Sequence, residues 1–277
     1  MTSVAELTYY PIKGCAGTSP SEAMLTPAGL AHDRSFMVVS REGVYRTQRK
    51  DPRLALIRPH MSPDGDQLTL TAPDSGMGTG TGTMTIDVDT TGARREVDLF
   101  GTPYKGIDQG DTAAAWLSDT LGTPSRLVRV PPEHDRVTDG STPGTSAYAD
   151  SSALLVLSLS SLDLLNRKLT ERGANPLPMN RFRPNIVVTG WPDPHTEDQA
   201  HRITIGATEL GYAKPAIRCV VTTVDQSSGT KTGPEPLRTL ATYRRSPEGG
   251  VTFGTKFAVL RPGKVTVGDD VTVWPGA

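Results

Sequence analysis

The sequence predicts a β-rich α+β protein of 277 residues. Three observations carry that prediction. Glycine (28 residues) and proline (23) cut the chain into short pieces, the spacing expected of many strands joined by tight turns. Several pieces alternate apolar and polar side chains, as LTLTA (68–72) and MTIDV (84–88) do, which is the period of two of a half-buried strand. Helical spacing is confined to three stretches. A chain with 36% hydrophobic and 21% charged residues has enough apolar material for a core, which excludes disorder and a collagen-like chain.

In chain order, strands are expected over 4–10, 35–40, 55–58, 67–72, 84–88 and 96–100, with GMGTGTGT (76–83) as a flexible hairpin connection whose glycines do not satisfy GxGxxG. A helix follows over 112–121, with Asp111 placed to cap it and Gly122 to end it. After a strand at 126–130, residues 131–150 (PPEHDRVTDGSTPGTSAYAD) have no period and read as a long mobile loop. An apolar strand at 153–158 then runs into a helix. Ser160 and Asp163 resemble its capping box, Leu162, Leu165 and Leu169 form one face, and Gly173 ends it. Strands at 185–189, 202–205, 209–212 and 220–224, a short helix from Pro236 and strands at 256–260, 264–267 and 271–274 complete the chain. The change of pattern divides it into residues 1–122 and 123–277.

Composition also narrows the function. Lys and Arg (29) balance Asp and Glu (30), leaving no cationic surplus for a nucleic-acid partner, although a local basic pocket stays open. MTSVAELTYYPIKG starts in strand-like text without a basic leader or an apolar signal core, and no run reaches the roughly 18 apolar residues of a membrane span. The expected location is cytoplasmic. Two cysteines, Cys15 and Cys219, exclude a disulfide framework, a four-cysteine zinc site and a cysteine-ligated iron–sulfur cluster carried by this chain alone. GxSxG, Walker, HExxH and CxxC signatures are missing, and the five histidines never stand at i, i+4.

Polar residues at strand ends are the informative feature. YPIKGCAG (10–17) ends a strand in Lys13 followed by small residues, and GLAHDRSFMVV (29–39) puts Asp33 and Arg34 at a strand mouth. Each has a plain alternative, a solvated lysine and a turn ion pair. YADSSALLVLS (148–158) places a carboxylate and hydroxyls before a buried strand. In NRFRPNIVV (180–188), Arg181 and Arg183 would share one face if extended, which suits a phosphate. In KPAIRCVVTTVD (214–225), Cys219 is either a small core residue or a thiolate activated by a nearby cation for reaction or metal binding. Together these segments offer the cations, hydroxyls and thiol wanted by a phosphate-bearing cofactor with a soft metal.

In this order the five segments resemble the MOSC molybdenum-cofactor proteins with an N-terminal MOSC β-barrel domain, above all the amidoxime-reducing components of mitochondria and their bacterial relatives. The likeness runs to the final VGDDVTVW (267–274). It implies an N-terminal β-barrel-like domain packed on a MOSC β-barrel, with a molybdenum cofactor (Mo-molybdopterin, with or without a nucleotide) in the cleft between them. Cys219 matches the cysteine that ligates the metal and takes part in catalysis. Lys13, Arg34 and Arg183 match residues that bind the pterin or its phosphate, and Asp150, Ser151, Ser152 and Asn185 match positions beside the cofactor, with Gly14 and Arg218 flanking them. Gly14 stands where relatives commonly have a hydroxyl residue, and Ile217 where a small polar one is common. Pyridoxal phosphate binding stays open beside molybdenum-cofactor binding. The implied activity is reduction of N-hydroxylated substrates of the amidoxime, hydroxylamine or N-oxide type. Asp150 either influences proton delivery or bonds backbone amides at its loop end. Electrons would come from a separate ferredoxin, flavin reductase or cytochrome b5 type donor, since the chain has no cluster of its own. The alternative is a protein that carries the cofactor or transfers sulfur to it without steady turnover.

Overall fold

A computed structural model describes residues 1–73 and 82–275 and has the expected β-rich α+β fold. A seven-stranded sheet runs in the order Ser3–Leu7, Ile186–Thr189, Leu154–Ser158, Val251–Arg261, Thr208–Arg218, Ala200–Ile205, Val271–Pro275. A five-stranded sheet runs Ile12–Lys13, Phe36–Val39, Arg126–Arg129, Thr102–Asp108, Arg94–Leu99. Arg58–Met61, Gln67–Ala72 and Gly82–Asp87 form a meander of three strands, and Glu22–Thr26 pairs with Gly263–Thr266 on one side and Gly29–Leu30 on the other.

The alternation in LTLTA has its expected cause: Leu68 and Leu70 are buried, while the Thr69 hydroxyl points outward to bond that of Thr85 across the pair at 2.9 Å. The strands without alternation are covered on both faces. Phe36 and Val38 enter one core cluster and Met37 and Val39 another. Leu154 and Val156 pack into the core of the large sheet, whereas Leu157 packs with Leu165 and Leu169 of the helix Leu159–Glu171.

Several local expectations are corrected. The strand expected at 55–58 is a 3-10 turn, Pro52–Leu56, followed by the strand Arg58–Met61. The one expected at 220–224 is the 3-10 turn Val220–Thr223, because the Thr222 and Thr223 hydroxyls bond back to the Cys219 and Val220 carbonyls at 2.9 and 2.8 Å and curl the chain. Gly110 is the residue before the helix Asp111–Leu121, and Asp111 lies inside it, paired with Arg126 at 2.8 Å; Gly122 ends it in the left-handed conformation, as expected. The second helix is capped by Ser158, not by a Ser160–Asp163 box. Residues 131–150 are not a free loop: Tyr148 is fully buried, and Arg136 donates to the Ala147 and Ala149 carbonyls at 3.0 and 2.6 Å. The hairpin connection at 76–83 lies for its greater part outside the described residues.

Sheets cross the division expected at residue 122. Ser3–Leu7 pairs with Ile186–Thr189, Glu22–Thr26 pairs with Gly263–Thr266, and Arg126–Arg129 lies inside the five-stranded sheet. These crossings bring the strand ends of both halves to one place.

Candidate active site

The ten residues that the resemblance assigns to the site line one cavity where the halves meet: Lys13, Gly14, Arg34, Asp150, Ser151, Ser152, Arg183, Asn185, Arg218 and Cys219. Arg46 and Lys256 join them, so the lining holds six cations against one acid, Asp150, in a chain of net charge -1.

Each side chain is aimed by its element. Lys13 ends Ile12–Lys13, and its side chain, 8% exposed, pairs with the Asp150 carboxylate, which is 58% exposed. Burial lowers the pKa of the ammonium against the raising pull of Asp150. For Asp150, burial pushes the carboxyl up but Lys13 outweighs it, holding the acid well below the usual carboxylate range. Asp150 is therefore ionised at neutral pH, and its side chain bonds the lysine rather than backbone amides. Gly14 has φ +82°, and its carbonyl accepts a bond from Gln48 Nε2 at 2.6 Å. A β-carbon there would meet only Leu54 Cδ1 at 3.5 Å, so the left-handed backbone, not crowding, favours glycine at this position.

Arg34 and Arg183 both adopt positive φ, +48° and +56°, and both guanidiniums lie over the Tyr10 ring, at 4.3 and 4.1 Å from its centroid. Arg34 is held by the buried Asp33 and by Asn185 Oδ1 at 3.1 Å. Asn185 also accepts from Leu155 N and donates to the Thr8 carbonyl, each at 3.1 Å. It is a brace with little bonding capacity left for a ligand. The expectation that Arg181 and Arg183 share a face fails, because the segment is not extended: Arg181 ends the 3-10 turn Met179–Arg181 and Arg183 adopts φ +56°. Arg181 turns away to Thr222 O and Thr232 Oγ1, at 3.3 and 2.8 Å, while Arg183 faces the cavity.

Buried donors without partners point to what the cavity takes. Ser152 Oγ and Arg218 Nε are both buried and unbonded, and leaving such groups unpaired costs about 1–3 kcal/mol each. Burial lowers the pKa of Arg183, and brings that of Arg218 down to about 10 and that of Lys256 to about 8. These cations lack sufficient anions of the chain's own, so an anionic ligand would relieve their desolvation. Cys219 follows the strand Thr208–Arg218, is partly exposed, and has its Sγ 3.6 Å from Arg49 Nη2. Among the described residues no three His, Cys, Asp or Glu side chains gather as a metal cage. A metal on Cys219 would thus take its remaining ligands from its cofactor, and a single soft thiolate beside phosphate-suited cations fits such a group.

Three cationic residues, Arg46, Lys256 and Arg49, carried no reading in the sequence. Lys256, on Val251–Arg261, donates to Ser151 Oγ; a lone lysine inside apolar VTFGTKFAVL is the same signal that singled out Lys13. Arg49 gave no signal, because its contact with Cys219 spans 170 residues of chain.

A β-rich protein whose interlocked halves close on a cation-lined cavity with one accessible thiol is the class these features define. The MOSC N-terminal beta barrel domain matches residues 1–124 and the MOSC domain residues 143–272. Human mitochondrial amidoxime-reducing component 1 is 35% identical over 97% of this chain and 82% of its own length, and the mouse protein of that name 36% over 97% and 81%. The chain belongs to this family of MOSC proteins that includes the amidoxime-reducing components. The zebrafish molybdenum cofactor sulfurase is 30% identical over 92% of this chain and 32% of its own length. No helix among the described residues is long and apolar enough to cross a membrane.

Proposed function

We propose that this protein is a molybdenum-cofactor-dependent oxidoreductase that reduces N-hydroxylated compounds with electrons from a separate redox protein. The cation-lined cavity that holds Cys219 together with three unpartnered buried donors, Arg46 Nε, Ser152 Oγ and Arg218 Nε, is the observation that carries this reading. Lys13, Arg34, Arg183, Arg218 and Lys256 would hold the anionic pterin, Ser152 and the Gly14 region would bond its polar edge, and Cys219 would ligate the metal. The bound cofactor would supply a two-electron redox centre able to take oxygen from an N–O bond. The overall change balances as R–NHOH + 2 H⁺ + 2 e⁻ giving R–NH₂ + H₂O. Asp150, ionised and paired, fixes Lys13, whose Nζ is the group at this place that carries a proton. The names of the relatives support the chemistry, amidoxime reduction for the human and mouse proteins and molybdenum cofactor for the sulfurase.

The test is expression in a host that makes molybdopterin, followed by metal and pterin analysis and assay of benzamidoxime reduction with an artificial donor. Full molybdenum occupancy without turnover of any N-hydroxy compound would sink the enzymatic reading. Cys219→Ala is expected to abolish turnover while the melting curve barely moves. The match to about a third of a cofactor sulfurase favours a second reading, cofactor carriage. Transfer of bound cofactor to an apo-enzyme by a protein inactive with every reductant would establish that one.

A further inference from the structure

Phe100 lies outside any strand, in the turn between Arg94–Leu99 and Thr102–Asp108, with φ +59° and 41% of its surface exposed. A bulky side chain in the left-handed region costs about 1–2 kcal/mol, and neither the core clusters nor the cofactor-suited lining includes this ring. Two of its neighbours reach the site: Lys13 lines the cavity and Arg49 touches Cys219. The ring is 4.7 Å from that of Tyr45, 4.9 Å from Lys13 Nζ and 5.8 Å from the Arg49 guanidinium, which itself reaches Cys219 Sγ. From the other half, Ile217 and Val220, 44% and 45% exposed, flank Arg218 and Cys219 along the chain. Arg49 thus links the Phe100–Tyr45 pair to the thiol, whose chain neighbours Ile217 and Val220 expose aliphatic surface.

Resting on the oxidoreductase reading above, we propose that Phe100, Tyr45 and Ile217 seat the substrate, selecting neutral N-hydroxy compounds with a flat aromatic body, and that Arg49 steers the N–O end. A guanidinium has five N–H donors, so the bond from Arg49 to Cys219 leaves others for that oxygen. The surrounding cations add direction to the exchange. An amidoxime enters neutral, whereas the amidine it becomes is a protonated cation at neutral pH and is repelled by Lys13 and Arg49.

The experiment compares benzamidoxime with acetamidoxime, in which methyl replaces phenyl, on the cofactor-loaded wild type and Phe100→Gly. Glycine suits the φ at this position, so the variant is expected to fold and melt at or above the wild-type temperature. Loss of the ring should reduce the preference for benzamidoxime by about tenfold, with the change in KM. Calorimetric binding to the oxidised protein without reductant reads the same preference independently of turnover. Failure of turnover with an intact, Phe100-dependent binding preference would reject the oxidoreductase reading and leave the seat standing. Equal weakening for both compounds, or an unchanged preference, overturns the seat. Benzamidine should bind at least about tenfold more weakly than benzamidoxime; comparable affinities overturn the electrostatic part.

Discussion

Cys15 and Cys219 carry the same side chain, and their surroundings make them different reagents. Cys15 is fully buried in an apolar cluster, and burial pushes its thiol up to about 12, so it stays protonated. Cys219 is partly exposed beside Arg49. On protein purified without cofactor, iodoacetamide is expected to label Cys219 and spare Cys15, as read by peptide mass spectrometry; equal labelling would contradict the environments described. Lys256 makes a second residue-scale prediction. Burial lowers its pKa from 10.5 to about 8, so between pH 8 and 10.5 the unfolded chain binds more protons and cofactor-free stability rises with pH. Below that window the cost of the buried charge is fully present. Lys256→Met should therefore melt higher than wild type at pH 7 without cofactor, with the gap closing by pH 10. A gap independent of pH would show that packing, not charge, sets it.

At the scale of elements, the helix Leu159–Glu171 depends on a buried cap. Ser158 Oγ accepts from Ser161 N at 3.2 Å and donates to Glu197 at 2.9 Å, and Ser161 Oγ reaches the same carboxylate at 2.7 Å. Ser158→Ala removes the cap and one donor from a carboxylate that has no exposure to water, so a loss of about 2–3 kcal/mol in a denaturant titration is expected. Glu197→Gln keeps one acceptor oxygen for the Ser161 hydroxyl and turns the other into an amide donor toward Ser158 Oγ, without removing the cap, and should cost less. The sequence reading put the cap two residues late because the strand passes directly into the helix, leaving no loop to mark the start. Strands with one buried face, such as Gln67–Ala72, were legible from their alternation. The turn after Cys219 was not, since VVTT reads as strand until its hydroxyls are seen bonding backward. Likewise the site residues that sit in short runs, Lys13, Arg34, Arg183 and Cys219, could be read from text, whereas Arg49 belongs to the site only through folding.

At the scale of the molecule, the cavity exists because the halves interlock. Asn185 ties Arg34, Thr8 and Leu155 together, Tyr10 Oη donates to the Pro184 carbonyl at 3.1 Å, and the Gln48 and Gln226 amides bond each other reciprocally at 3.1 and 2.9 Å. Ser3–Leu7 forms the edge of the large sheet, against Ile186–Thr189. A cut at residue 122 would strip that strand from one half and Arg126–Arg129 from the other, exposing unpaired edges and apolar faces on both. Fragments 1–122 and 123–277 are accordingly expected to be insoluble or unfolded when made alone and to assemble when made together. The intact chain should unfold in one transition, with tryptophan fluorescence and far-ultraviolet circular dichroism coincident along a urea titration. Two separated transitions, or a 123–277 fragment folded on its own, would mean that the cavity is a contact between independent domains. The anion site would then gain nothing from the crossing strands. A single transition would instead tie the aim of Lys13, Arg34 and Arg183 to the stability of the whole fold, so that a ligand bound among them raises the melting temperature of both halves together.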